Sequence, residues 1–149
     1  MKRLVAALPL ALLVTACGTA GPASRPILSH TARLDDVPLR LDVARLHRVA
    51  GVAALDLRLA NSSAAGGDAY SIDDTFSSEG NYDTGGLLML DQRTGREIAP
   101  LQADATDLGA MQIAPGGTQQ IRTVFPAPRG DHVDVLVPHF GLFRNVPVR

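Results

Sequence analysis

Apolar and polar residues alternate along most of this chain, and a period of two marks strands buried on one side. Leu39, Leu41 and Val43 share one face, with Arg40 and Asp42 on the other. Leu55, Leu57 and Leu59 repeat the pattern after Gly51, which predicts a turn folding the second run back on the first. Asn61-Ser62-Ser63 ends that strand. Further on, Gly86-Leu87-Leu88-Met89-Leu90-Asp91 is a dense apolar run. It leads through Gln92-Arg93-Thr94-Gly95-Arg96 into Glu97-Ile98-Ala99-Pro100-Leu101, the pattern of a hairpin. Ala114-Pro115-Gly116-Gly117 turns the chain into a strand over 118–125. Pro126-Ala127-Pro128-Arg129-Gly130 then separates it from a run in which Val133, Val135 and Val137 alternate with Asp134 and Leu136. No later stretch carries a helical stripe. About seven short strands between turn-rich segments predict an all-β fold, a single antiparallel β-sandwich.

One apolar run breaks this rhythm. Lys2 and Arg3 precede an apolar stretch over 4–16, interrupted by Pro9 and ending in Leu13-Val14-Thr15-Ala16 before Cys17, the only cysteine of the chain. The run has signal-peptide length, whereas a helix crossing the hydrocarbon core needs roughly 20 apolar residues. The junction looks like a bacterial lipobox. It predicts a signal peptide over 1–16, a lipidated Cys17 opening a flexible linker over 17–32 (CGTAGPASRPILSHTA), and a folded domain over 33–149. Plain secretion with a free thiol is the alternative, since Val14 and Ala16 also suit ordinary cleavage. A thioether to diacylglycerol removes a thiol that would otherwise form intermolecular disulfides in an oxidising compartment. Two or three acyl chains, at about 0.8 kcal/mol per buried methylene, make attachment effectively permanent. The expected location is therefore the extracytoplasmic face of the cell membrane. Gly18 lacks the aspartate associated with inner-membrane retention, which matters only in a two-membrane cell.

Charge narrows the partners. The whole chain has 14 basic and 15 acidic residues, and removal of 1–16 takes Lys2 and Arg3 with it, leaving 14 − 2 = 12 against 15, or −3. Nothing here suggests a nucleic-acid surface. The 149 − 16 = 133 remaining residues suffice for one domain and a tether. Without tryptophan or a second cysteine, the core must be built mainly from Leu, Val, Ile and Ala.

Candidate chemistry is sparse. The acidic stretch 68–83 offers Asp73, Asp74, Glu79 and Asp83 as weak calcium candidates, because hard cations want convergent oxygens. It lacks the alternate-position ladder with a terminal glutamate, and a solvated loop holding Phe76 or Tyr82 against the sandwich is the favoured reading. His30, His47, His132 and His139 give no ligand pair at metal-site spacing. No Gly-x-Ser-x-Gly elbow is present, and nothing selects a carboxylate pair. Near the C-terminus, Phe140 and Phe143 are either an exposed ligand-gripping patch or a cap on the open end of the sandwich, with the cap favoured.

Several of these segments resemble a family of actinobacterial lipoproteins and envelope proteins with an immunoglobulin-like, telokin-like sandwich. The similar stretches are Leu55-Asp56-Leu57-Arg58-Leu59-Ala60-Asn61-Ser62, Gly86-Leu87-Leu88-Met89-Leu90-Asp91, and Ala114-Pro115-Gly116-Gly117-Thr118 leading to Val124-Phe125-Pro126-Ala127-Pro128. Val133-Asp134-Val135-Leu136-Val137-Pro138 and Phe143-Arg144-Asn145-Val146-Pro147-Val148 are similar as well. The likeness covers most of 33–149, and departs at Leu142, where relatives often carry proline. It implies an immunoglobulin-like domain at the envelope, with no catalytic residues to carry over. Some relatives form the N-terminal part of larger envelope proteins with a peptidoglycan-binding domain. Two functions stand against each other. The first is a non-catalytic, lipid-anchored binding or interaction module without cofactor, meeting an envelope protein or glycan. The second is an envelope-polymer hydrolase or lyase using surface carboxylates such as Asp73, Asp74 or Asp83.

Overall fold

Ten strands alternate with tight turns in the computed structural model, which describes residues 25–72, 75–76, 84–101 and 111–149. They are β1 (Leu28–Leu34), β2 (Val37–Val49), β3 (Val52–Asn61), β4 (Tyr70–Ser71), β5 (Leu88–Asp91), β6 (Arg96–Ile98), β7 (Gln112–Ile113), β8 (Thr118–Pro126), β9 (His132–Val137) and β10 (Gly141–Pro147). Among the described residues there is no helix, and every pairing is antiparallel. One four-stranded sheet has the order β1-β2-β3-β8, a second has β10-β9-β5-β6, and β4 pairs with β7. The inward residues of both four-stranded sheets share a single hydrophobic core, the arrangement of a sandwich.

Register explains which residues meet there. Leu41 pairs with Leu59, Val43 with Leu57 and Leu46 with Leu55, and all six are buried. The spacing from Val43 to Leu46 departs from two because a bulge between Val43 and Arg45 inserts a residue and returns the next leucine to the core. Val133, Val135 and Val137 supply the facing layer from β9, with Met89 from β5. Three phenylalanines, Phe76, Phe125 and Phe143, are among the largest fully buried side chains. Phe76 thus packs as expected, while Tyr82 lies outside the described residues.

The turns follow backbone chemistry. β2 and β3 join through Ala50 and Gly51, both at positive φ, the mirror-image turn that matches the twist of a two-residue hairpin. β1 and β2 join the same way through Asp35 and Asp36, at φ 46 and 62, because short polar side chains tolerate that region. The expected hairpin around Gly95 is present as β5 and β6, with Asp91 opposite Arg96.

The linker expected over 17–32 is too long. Leu28–Leu34 is a strand in register with Val37–Val43, and Leu28, Ala32 and Leu34 pack against the core. Its inward set contains His30 and a small alanine, so its alternation is faint in the sequence. β1 covers β2 only as far as Val43. Beyond that point the C-terminal chain takes its place: the Arg48 N–H donates to the Arg149 carbonyl and the Arg149 N–H to the Leu46 carbonyl. The edge of the first sheet is thereby blunted from both directions.

Candidate functional site

Two buried carboxylates among the described residues each gather a polar cluster, one on the outer face of the first sheet and one at an end of the sandwich. The first centres on Asp42, which is fully buried although it points away from the core. Cross-strand register puts Ser29 of β1 and Arg58 of β3 on either side of it. Ser29 Oγ donates to Oδ1 at 2.7 Å, Arg58 Nε and Nη2 donate to Oδ2 at 3.0 and 2.7 Å, and Arg40 Nε lies 3.2 Å from Oδ1. Burial works to raise this carboxyl. The hydrogen bonds from Ser29 and Arg58, with the charges of Arg40 and Arg58, outweigh it and hold the group below its ordinary value. Every acceptor on Asp42 is thus engaged by its own sheet, which makes the cluster a structural tie.

The second cluster has surface chemistry. Asp91, at the end of β5, is buried, and its carboxylate gathers two separate segments. Oδ1 accepts the Arg93 N–H at 3.0 Å across the turn 92–95. Oδ2 accepts the Arg129 and Gly130 N–H groups, at 2.8 and 3.3 Å, from the β8–β9 connection. Burial again works to raise the carboxyl, and these amides with the Thr94 hydroxyl outweigh it and keep the group ionised. Gly130 is required at the contact, since a Cβ there would sit 2.6 Å from Asp91 Oδ1. From below, Arg48 Nη2 donates to the Gly130 and Pro128 carbonyls at 2.6 and 3.3 Å, and Nη1 stands 3.5 Å from Asp131.

The result is a rigid rim presenting arginines. Arg93 and Arg129 line one hollow with His132, and Arg129 and Arg96 line the adjoining one. All three guanidinium side chains are exposed, and none has an ion pair among the described residues. Exposed arginines held by a rigid backbone suit phosphate or carboxylate oxygens, which their planar fork meets in pairs. In the sequence both segments read as turns. The only signal is the arginines themselves, Arg93 and Arg96 in Gln92-Arg93-Thr94-Gly95-Arg96 and Arg129 in Pro128-Arg129-Gly130, and strand pairing is needed to bring them together.

The residues singled out from sequence are placed differently. Phe140 and Phe143 are buried, so the exposed gripping patch is corrected: Phe143 stacks on His30 with ring centroids 4.0 Å apart, and His30 Nδ1 lies 2.9 Å from the Phe140 carbonyl. The pair ties β1 to β10 as a cap. Cys17 and the calcium candidates Asp73, Asp74, Glu79 and Asp83 lie outside the described residues. Among the described residues, no three His, Cys, Asp or Glu side chains come together as a metal-binding group. No family model, curated protein or solved structure matches the chain.

Proposed function

We propose that the chain is a lipid-anchored, extracytoplasmic binding or interaction module of the bacterial cell envelope, non-catalytic and built on an immunoglobulin-like sandwich. The observation that carries this reading is the junction Leu13-Val14-Thr15-Ala16-Cys17, with its preceding apolar run and basic start. The finer fold assignment has its own support. Taken in chain order, β2, β3, β5, β6, β8, β9 and β10 occupy the places of strands A, B, C, C′, E, F and G. The order β2-β3-β8 over β10-β9-β5-β6 then reproduces A-B-E facing G-F-C-C′, with β1 added beside A. That architecture serves recognition through its end loops and sheet faces, and its position on a tether restricts partners to envelope proteins and glycans.

The test is the intact mass of the processed N-terminus from the native membrane, paired with the Cys17→Ala variant. A mature chain beginning at an acylated Cys17, and release of Cys17→Ala from the membrane fraction, are expected. An unmodified Cys17 or cleavage elsewhere ends the anchored reading. Crosslinking in intact cells then identifies the partner.

A further inference from the structure

We infer that the arginine end of the sandwich docks on an anionic lipid surface, so that the module lies loops-down on the membrane that holds its tether. The inference deepens the anchored reading and rests on it for the tether alone. Charge is segregated along the strands. The end formed by 48–51, 91–97, 127–134 and Arg149 carries Arg48, Arg93, Arg96, Arg129 and Arg149 against Asp91, Glu97, Asp131 and Asp134. Asp91 is buried under its amide donors, Asp131 faces Arg48 and Asp134 accepts from Gln92. The opposite end carries Asp35, Asp36 and Asp68 against Arg33 among the described residues. Arg93, Arg96 and Arg129 are exposed cations of the first end with no ion pair among the described residues, and phosphodiester oxygens are acceptors of the kind they lack.

The direction of β1 makes the arginine end the one that faces the lipid. Leu28 pairs with Val43, and β1 runs from there toward the aspartate turn at 35–36, so the chain preceding it enters from the arginine side. Eleven residue steps separate Cys17 from Leu28, a reach of at most ~40 Å. Six steps of β2, from Val43 to Val49, take up ~20 Å of that before the end of the sheet is passed. A tether of that reach lets the arginine rim come down onto the lipid, where its charges act within about one Debye length, ~10 Å at 0.1 M salt. The aspartate end is repelled by the same surface, which orients the domain as well as attracting it.

The test uses the full lipidated protein in vesicles of phosphatidylcholine, with or without phosphatidylglycerol, footprinted with phenylglyoxal and read residue by residue by mass spectrometry. Arg93, Arg96 and Arg129 should be shielded on the anionic vesicles and reactive on the neutral ones. High salt should return their reactivity, and Arg33 should react equally on both. Equal reactivity of the three on both vesicles overturns the docking inference, as does the same shielding by inorganic phosphate without vesicles, which would make the end a site for free phosphate. The same spectra report the mass at Cys17. If it carries no acyl chain the anchored reading fails, and docking is judged by sedimentation of that unacylated chain with phosphatidylglycerol vesicles. Binding that R93Q/R96Q/R129Q weakens by about 100-fold, at about fivefold per arginine, sustains docking. Absence of binding overturns it.

Discussion

Asp42 and Asp91 are both buried carboxylates held below their ordinary pKa, but they are held by opposite kinds of partner. Asp42 is enclosed by side chains on a sheet face, chiefly Arg58 and Ser29, and the arginines reach out to solvent. Asp91 is enclosed by backbone, three amide N–H groups from two loops that no side-chain change short of proline removes. Side-chain partners are free to turn to water when the carboxylate is lost. Backbone amides fixed between two loops are left behind, and a donor stranded in the protein costs about 1–3 kcal/mol. The first aspartate therefore trims a surface, and the second builds an end of the molecule.

Asp91→Ala is expected to have the largest effect, a loss of about 3 kcal/mol in denaturant unfolding, because three donors lose one acceptor group together. The same change should loosen the 92–95 and 127–131 segments and with them the arginine rim. Asp42→Ala should cost less, about 1–2 kcal/mol, since Arg58 and Arg40 keep access to solvent. Replacing the pair together, Asp42→Leu with Arg58→Leu, should be close to neutral, as it is for many ion pairs exchanged for apolar contacts. An Asp42→Ala more damaging than Asp91→Ala would reverse the comparison. Salt should change the cost of either substitution little, because both carboxylates are buried and their direct contacts are screened much less than those of exposed pairs.

Acid should act on both sites in the same direction. A carboxylate whose folded pKa is depressed adds stability that is fully present above its unfolded value, about 4, and is lost as pH falls through the lower folded value. The wild-type melting temperature should fall steeply from about pH 4 downward, and Asp42→Asn and Asp91→Asn should each start lower at neutral pH and fall less. A variant that keeps the full wild-type slope shows that its aspartate is not part of the acid transition.

Alternation made the strands with strong apolar sides legible: Leu39, Leu41 and Val43, then Leu55, Leu57 and Leu59, then Val133, Val135 and Val137 all face the core as read. Where the inward set is diluted, as in β1 with His30 and Ala32, period two does not stand out against a Gly, Pro and Ser background. The Asp35-Asp36 turn lacks the glycine or asparagine that usually announces such a hairpin. Asp42 reads as an outward, solvated residue because its neighbours Ser29 and Arg58 are set by register, which no single strand carries. Asp91 reads as the polar end of a strand, and its amide donors at 129 and 130 come from a distant turn. Sequence therefore reports the faces of strands better than what crosses between them, and the arginine rim is made wholly of crossings.

The outer face of the first sheet offers the mildest test of the same distinction. Arg122 Nε donates to Asp56 Oδ1 at 2.6 Å, with arginine and aspartate side chains 64% and 22% exposed. This carboxylate, like Asp42, lies beside arginine on β3 and its neighbours, and its hydrogen bond and charge raise the guanidinium above its ordinary value. The arginine is already far from titrating near neutrality, so that shift has no consequence there. What differs from Asp42 is water, which screens the pair and takes over its hydrogen bonds once it is broken. Arg122→Gln should therefore change unfolding free energy by no more than about 0.5 kcal/mol, and the change should vanish in high salt. A loss as large as that of Asp42→Ala would mean that short charge-paired contacts on this face, and not enclosure of the carboxylate, set the energetics, and would remove the ground for separating Asp42 from its exposed neighbours.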